Sequence, residues 1–334
     1  MTGAWAEVTE VFGRGVEALR LSAEHVPGLT TLASAPYLWR PFLMLVFLGV
    51  VAGLVGVIVN LRRLEFNAEA TVHSVFPGIV AGAAYGGIEM IIPGAGITAV
   101  FVAIALTLAG RRGVKTSESG TAVVLTSFFS FGIVLSLAKR DMSGQLEALM
   151  FGRLLEVTES SLLESCLVCT IGLVIILASW KEQVFTAFDR EGAQAAGING
   201  LVVDLLVNCA IAAVVVSAST AVGVLLVIGY LVVPGATARL LVKRISLMIP
   251  VAIAVAVAGG YIGMHMMMID APHQISPQAA VALSVLALFF AALPVKMLRD
   301  KLTTGRTDTG TDNVAADITP PQPVACSAAA HGRD

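Results

Sequence analysis

Apolar residues in this chain come in long unbroken runs, with the polar ones confined to the gaps between them. The first run, Pro41–Leu61, ends at Arg62 and Arg63. Eight more follow: Val72–Ile92, Gly94–Ala109, Gly120–Ala138, Leu162–Trp180, Leu201–Ser219, Ala221–Ala238, Ile245–Ile269 and Ile275–Val295. A helix rising 1.5 Å per residue needs about 20 apolar residues to cross the hydrocarbon core of a bilayer, and these runs have that scale. Their continuity excludes a closed β-barrel, whose strands alternate apolar and polar positions. The pattern therefore predicts an all-α polytopic membrane protein with nine transmembrane helices. The count falls to eight if the short neighbours meeting at Pro93-Gly94 or Ser219-Thr220 are re-entrant. Pro77-Gly78 inside the second run predicts a broken helix there.

Composition agrees with this reading. Of 334 residues, 57% are hydrophobic and only 13% charged, with a mean hydropathy of +0.86. Soluble domains carry about 25% charged residues, so this chain cannot cover a water-facing surface. The net charge of −2 gives no nucleic-acid signal. Arg62-Arg63, Arg111-Arg112 with Lys115, Lys181 with Arg190, Arg239 with Lys243-Arg244, and Lys296 with Arg299 and Lys301 fall on alternate loops. Nine spans with the amino end outside place all five groups in the cytoplasm. Lys139-Arg140 and Arg153 fall on the other side, in a loop that also carries acids.

Three regions are expected: an amphipathic interfacial segment over 1–39, a transmembrane domain over 40–297, and a disordered tail over 303–334. In the first, acids and arginines alternate with Val8, Val11, Phe12, Val16, Leu19 and Leu21 at near-helical spacing, without the features of a signal peptide. In the tail, Thr, Asp, Gly, Pro and Ala dominate without periodicity.

The main candidate chemistry lies in "RRLEFNAEATVHSVFPGIVAG", Arg62 to Gly82. Glu69 and His73 are four apart, so on a helix they share a face one turn apart. Carboxylate with imidazole suits a first-row divalent ion, and ionisable groups at membrane depth mark ion or substrate paths. Spacing alone leaves a second reading open, a solvated pair at the cytoplasmic interface. A lower-ranked metal set is His265 with Asp270, in "GMHMMMIDAPHQISP", where His273 and four methionines also cluster. Methionines in a membrane helix are mostly gap fillers. Glu89, Glu164 and Asp204 sit near span ends, where snorkelling or interface exposure is the default.

"FTAFDREGAQAAGING", Phe185 to Gly200, predicts a short surface helix from Asp189 to Ala196, capped by Asp189 and ended at Gly197. It is either a plain loop helix or a docking knob for a soluble partner, since small residues permit close approach. Cys166 and Cys169 have zinc-ribbon spacing but no second pair, so packing is the reading for them. "GRRGVKT" at Gly110 lacks phosphate-loop spacing. The chain is therefore not expected to hydrolyse ATP, and energy must come from an ion gradient or a partner.

Taken in order, these motifs resemble the integral membrane permeases of metal-ion ABC transporters, the zinc/manganese/iron uptake family. Arg62, Arg63, Glu69, His73, Pro77 and Gly78 look like that family's second-helix signature. "LMFGRLLEVTESSL" (Leu149–Leu162), "FDREGAQAAGI" and "AVGVLLVIGYLVVPGATARLL" (Ala221–Leu241) are similar to its other marked segments. Glu69 stands where aspartate is common, Ala68 where glycine is usual, and the long amino-terminal segment is atypical. The resemblance implies a multi-pass permease of the bacterial plasma (inner) membrane, working as a homodimer or heterodimer. It further implies a cytoplasmic ATP-binding subunit, an extracellular solute-binding protein, surrounding lipid, and no permanently bound cofactor. The cargo would be a divalent ion (manganese, zinc or iron) held by Glu69 and His73, with Asp189, Glu191, Ala193, Ala196 and Gly197 coupling to the ATPase. The other functional classes open at this point are a gradient-driven carrier, a membrane-embedded metalloenzyme and a scaffold without transport.

Overall fold

A computed structural model describes residues 3–87, 90–110, 117–138, 152, 154–219, 223–269 and 276–304. It carries helices α1 (Gly3–Ala23), α2 (Thr30–Ala33), α3 (Pro36–Arg62), α4 (Glu65–Ser74), α5 (Phe76–Gly86), α6 (Ile91–Ala109) and α7 (Ser117–Ala138). Beyond these lie α8 (Glu159–Ala178), α9 (Trp180–Phe188), α10 (Arg190–Ala195), α11 (Gly200–Ser219), α12 (Val224–Leu241), α13 (Ile245–Met267) and α14 (Pro277–Thr304). No strand occurs among the described residues. The chain divides into a large unit, Met1–Ala292, and a small one, Leu293–Asp334, whose described part is the last stretch of α14.

Among the described residues, seven helices are long and apolar enough to cross a membrane: α3, α6, α7, α8, α11, α13 and α14. This differs from the expected eight or nine for two physical reasons. The apolar part of α12, Leu226–Leu241, is shorter. The second expected span, Val72–Ile92, is not one helix: it begins in the last three residues of α4 and continues in α5, the two parted at Val75. Pro77 explains the parting, because it has no N–H to give the His73 carbonyl and its ring crowds that carbonyl. The predicted break is thus present, starting two residues before the proline.

Helix α3 is central. In its apolar window 78% is buried, against 17% for α7 at the periphery. It packs on α8, α12 and α13. Lipid is as apolar as leucine, so helices here associate through close packing and hydrogen bonds instead of water exclusion. A methyl group placed on Gly235 of α12 would lie only 2.5 Å from the Gly56 carbonyl oxygen of α3, so the two backbones touch. The buried Tyr230 hydroxyl donates to the carbonyls of Ala256 (2.7 Å) and Leu45 (3.1 Å), tying α12 to both neighbours. Ser165 Oγ donates to the Ser217 carbonyl (3.0 Å), and Cys169 Sγ lies 2.8 Å from Ser217 Oγ, joining α8 to α11. Cys166 and Cys169 are free thiols, and Cys169 is buried in this contact, as the packing reading expected.

The amino-terminal helix is anchored to protein. Trp39 Nε1 donates to the Val16 carbonyl (3.2 Å) and Arg20 donates to the Ala33 carbonyl (2.6 Å). The Arg20 hydrogen bond holds the Glu17 carboxyl below its ordinary pKa. Of the apolar positions singled out in α1, Val16 is buried while Val8, Val11, Leu19 and Leu21 are exposed.

Contacts sort the helix ends of the large unit into two sets. At one end Arg62 meets Gln183 and Asp204, Arg239 meets the Asn60 carbonyl, and Arg190 meets Asp204. At the other, Arg40 meets Glu159 and Tyr261 donates to the Gly28 carbonyl (2.7 Å).

Candidate functional site

The chain leaves α3 by a tight reversal. Arg63 has φ 56° and ψ 47°, the left-handed region, and no other described non-glycine residue has a positive φ. That geometry costs an L-residue roughly 1–2 kcal/mol, so the surroundings must hold it. The Leu64 N–H closes the turn on the Val59 carbonyl (2.9 Å), and α4 starts one residue later.

Helix α4 packs on α6, α7, α11 and α12 and leaves one stripe open. Phe66 and Glu69 are exposed and His73 is half-buried, at the i, i+3 and i+7 positions of a single face. The predicted pair therefore sits on one helical face, one turn apart, with His73 two residues ahead of the break. Helix α7 braces that break. Phe129 meets the His73 ring edge-on (centroids 5.5 Å apart, 73°) and also the Phe76 ring (5.6 Å). One turn further, Gly132 lets the backbones close up: a methyl there would lie 3.0 Å from Pro77 N. On the other side Gly78 and Gly94 abut, since a methyl on Gly94 would sit 2.6 Å from the Gly78 carbonyl oxygen. Among the described residues no three His, Cys, Asp or Glu side chains gather as a metal-holding group.

Beside the reversal lies a polar cavity of about 410 Å³, lined by Arg63 and Asn67 from the α4 side and by Phe188, Arg190, Asp204 and Asn208 opposite. Neither Glu69 nor His73 lines it. Asp204 does not snorkel, contrary to the sequence default. It pairs with Arg62, whose side chain is 4% exposed, and through its other oxygen with Arg190 (2.6 Å). Arg62 also donates to Gln183 Oε1 (2.6 Å). A carboxylate between two guanidiniums outbids an interfacial position because charge-assisted hydrogen bonds are strong where water is scarce. The only signal for this in the sequence was that Arg62 and Asp204 lie near ends of apolar runs on the arginine-bearing side, with Arg190 in the loop between two of those runs.

Helix α10 matches the expected surface helix within a residue. Asp189 Oδ1 accepts from the Gly192 N–H (2.8 Å) as the N-cap. Gly197 has φ +86°, and the Ile198 N–H closes on the Ala193 carbonyl (3.0 Å). Ala193 is buried and Glu191 and Ala196 are exposed, so the helix offers a low face. The His265 ring lies against Tyr261 at a tilt (centroids 4.3 Å, 40°), with Nδ1 3.1 Å from the Tyr261 carbonyl. Its expected companions Asp270 and His273, like Glu89, Lys139-Arg140, Arg153 and the tail from 305 onward, lie outside the described residues.

This arrangement defines a multi-pass membrane protein, helical throughout its described residues apart from short connections, with an acid and a histidine beside a broken helix and a capped surface helix at its arginine-bearing end. The particular family follows from comparison. Residues 34–296 match the model of the ABC 3 transport family, and the chain belongs to that family. The manganese transport system membrane protein MntC of Halalkalibacterium halodurans is 29% identical over 78% of this chain and 88% of its own. The chelated iron transport system membrane protein YfeC of Yersinia pestis is 25% identical over 69% and 77%. PsaBC of Streptococcus pneumoniae, solved in complex with a Fab, superposes with a TM-score of 0.68 at 23% identity, over 79% of this chain and 94% of that one. At that identity the likeness is one of fold. The resemblance drawn from the motifs is borne out at the level of the family.

Proposed function

We propose that this chain is the membrane permease of an ATP-binding-cassette importer that passes a divalent transition metal ion, manganese before zinc or iron. The observation that carries the reading is the stripe on α4, where Glu69 and His73 share an open face directly ahead of the break. The names of the manganese and chelated-iron relatives support the class of cargo. One chain supplies only two such ligands on this face, so a second permease copy, identical or different, would bring the other two. Four nitrogen and oxygen donors suit manganese, zinc or iron. Ligands drawn from two chains can part, which suits a conduit that must release what it binds.

In the same reading, residues 40–297 form the permease domain, entered by the 1–39 segment and followed by the 303–334 tail. The α4–α5 pair and α12 join the seven long helices to make nine passes, with the arginine-bearing end in the cytoplasm. An extracellular solute-binding protein delivers the ion at the other end. A cytoplasmic ATP-binding subunit docks on α10 through Asp189, Glu191, Ala193, Ala196 and Gly197. His265 and Asp270 are second-rank ligands at the outer mouth. The test is uptake of Mn²⁺, Zn²⁺ and Fe²⁺, each titrated separately, in cells carrying His73→Ala. Accumulation should be abolished with the protein still assembled in the membrane, and unchanged uptake would remove the site.

A further inference from the structure

We infer that Asp204 is a positioning residue that carries movement of α10 to the α3–α4 reversal, and so to the metal-bearing face of α4. The inference rests on the proposed roles of α10 and α4 and adds a connection between them. Its basis is the division of labour within one carboxylate. Asp204 Oδ2 accepts from Arg190 of α10 (2.6 Å), while Oδ1 accepts from Arg62, the last residue of α3. The two arginines differ in setting. Arg190 is 54% exposed on a short surface helix, whereas Arg62 is 4% exposed and also held by Gln183. A shift of α10 that draws Oδ2 must turn the same carboxylate that fixes the buried guanidinium.

The backbone just beyond Arg62 is stiff. Arg63 sits in the left-handed region with its turn closed on Val59, and α4 starts two residues on. Displacing Arg62 therefore moves the start of α4, because the strained reversal has few other conformations to take up slack. The cavity of about 410 Å³ flanks this path and is lined by Arg63, Arg190 and Asp204 alike. Close-packed interfaces resist displacement, whereas a polar space bridged by ion pairs leaves room for one. The Arg239 bond to the Asn60 carbonyl (2.7 Å) and the Asn60 Nδ2 bond to the Val232 carbonyl (3.1 Å) tie α12 to the same end of α3. The stroke then includes two helices at once.

The test uses the full permease assembled with its ATP-binding subunit in proteoliposomes, with Mn²⁺ as the probe and uptake and ATP hydrolysis measured on the same vesicles. In Asp204→Asn, uptake per ATP hydrolysed should fall about tenfold, within the 5–150-fold span of typical coupling free energies, and Asp204→Glu should restore part of it. Arg190→Gln leaves the buried Arg62–Asp204 pair in place, so it answers the question even where Asp204→Asn fails to assemble, and it should lower the ratio likewise. Uptake and hydrolysis falling in parallel, with their ratio unchanged, would mean that the bridge merely shapes the docking surface, and both rates staying at their original values would mean that it carries nothing. Either result overturns the inference. Failure of the metal-site reading is separable, since it shows as normal uptake in His73→Ala whatever the Asp204 variants do.

Discussion

Replacing Gly235 with alanine tests whether the backbone contact between α12 and α3 is needed as tightly as it is drawn. The new methyl would lie 2.5 Å from Gly56 O, 2.7 Å from Gly56 C and 2.7 Å from Asn60 Nδ2. Real contacts essentially never fall under 3.0 Å and ordinary contact begins at 3.4 Å, so α12 must recede by roughly 0.5–0.9 Å, and a gap of that size forfeits about a quarter to a half of each dispersion contact along the seam. Asn60 Nδ2, which bonds the Gly56 and Val232 carbonyls at 3.0 and 3.1 Å, is crowded as well. Overpacking of this kind costs roughly 1–3 kcal/mol. Gly229 supplies the control, because it lies in the same helix with nothing within 4 Å of an added methyl. Gly229→Ala removes only the conformational penalty of a helical glycine and should stabilise by about 0.5–1 kcal/mol. Equilibrium unfolding of both variants in detergent, read by helix content, should separate them by about 1–3 kcal/mol, the overpacking cost alone, because both substitutions share the gain from replacing a helical glycine. Equal midpoints would refute the close approach, since one alanine would then be no more crowded than the other.

Local geometry sets two further outcomes. Gly197→Leu forces an L-side chain into φ +86° at the end of α10, a strain of roughly 1–2 kcal/mol, and sets bulk where a partner would approach. Metal uptake should fall while ATP hydrolysis by the assembled complex continues, and normal uptake would count against docking there. Tyr230→Phe removes the hydroxyl shared by the Ala256 and Leu45 carbonyls and should destabilise by about 1–2 kcal/mol in the same unfolding assay. A neutral result would mean that the helices hold without that bond.

The elements legible in the sequence are those that local chemistry dictates. Unbroken apolar runs announced the helices, Pro77 announced the break, and Asp189 with Gly197 marked both ends of α10, because hydropathy, a missing N–H and a capping carboxylate act within a few residues of themselves. Glu69 and His73 were legible as a pair for the same reason, since a four-residue spacing on a helix fixes a shared face. The number of long helices was less so. The run Val72–Ile92 has the length of a span, but hydropathy does not register that Val75 parts it into two.

Asp204 marks where reading along the chain stops. Arg62, Arg190 and Asp204 lie up to 142 positions apart, and nothing in their own neighbourhoods distinguishes a bridging carboxylate from one that reaches for headgroups. The same holds for Gly235 against Gly56, and for Phe129 against His73, whose partners depend on which helices the fold sets side by side. By itself the sequence determined what each segment is, since that is settled by short-range terms. Which segments touch was decided only by the tertiary structure, because in a lipid environment every helix is apolar and the choice of neighbour falls to small-residue contacts and a few polar bonds.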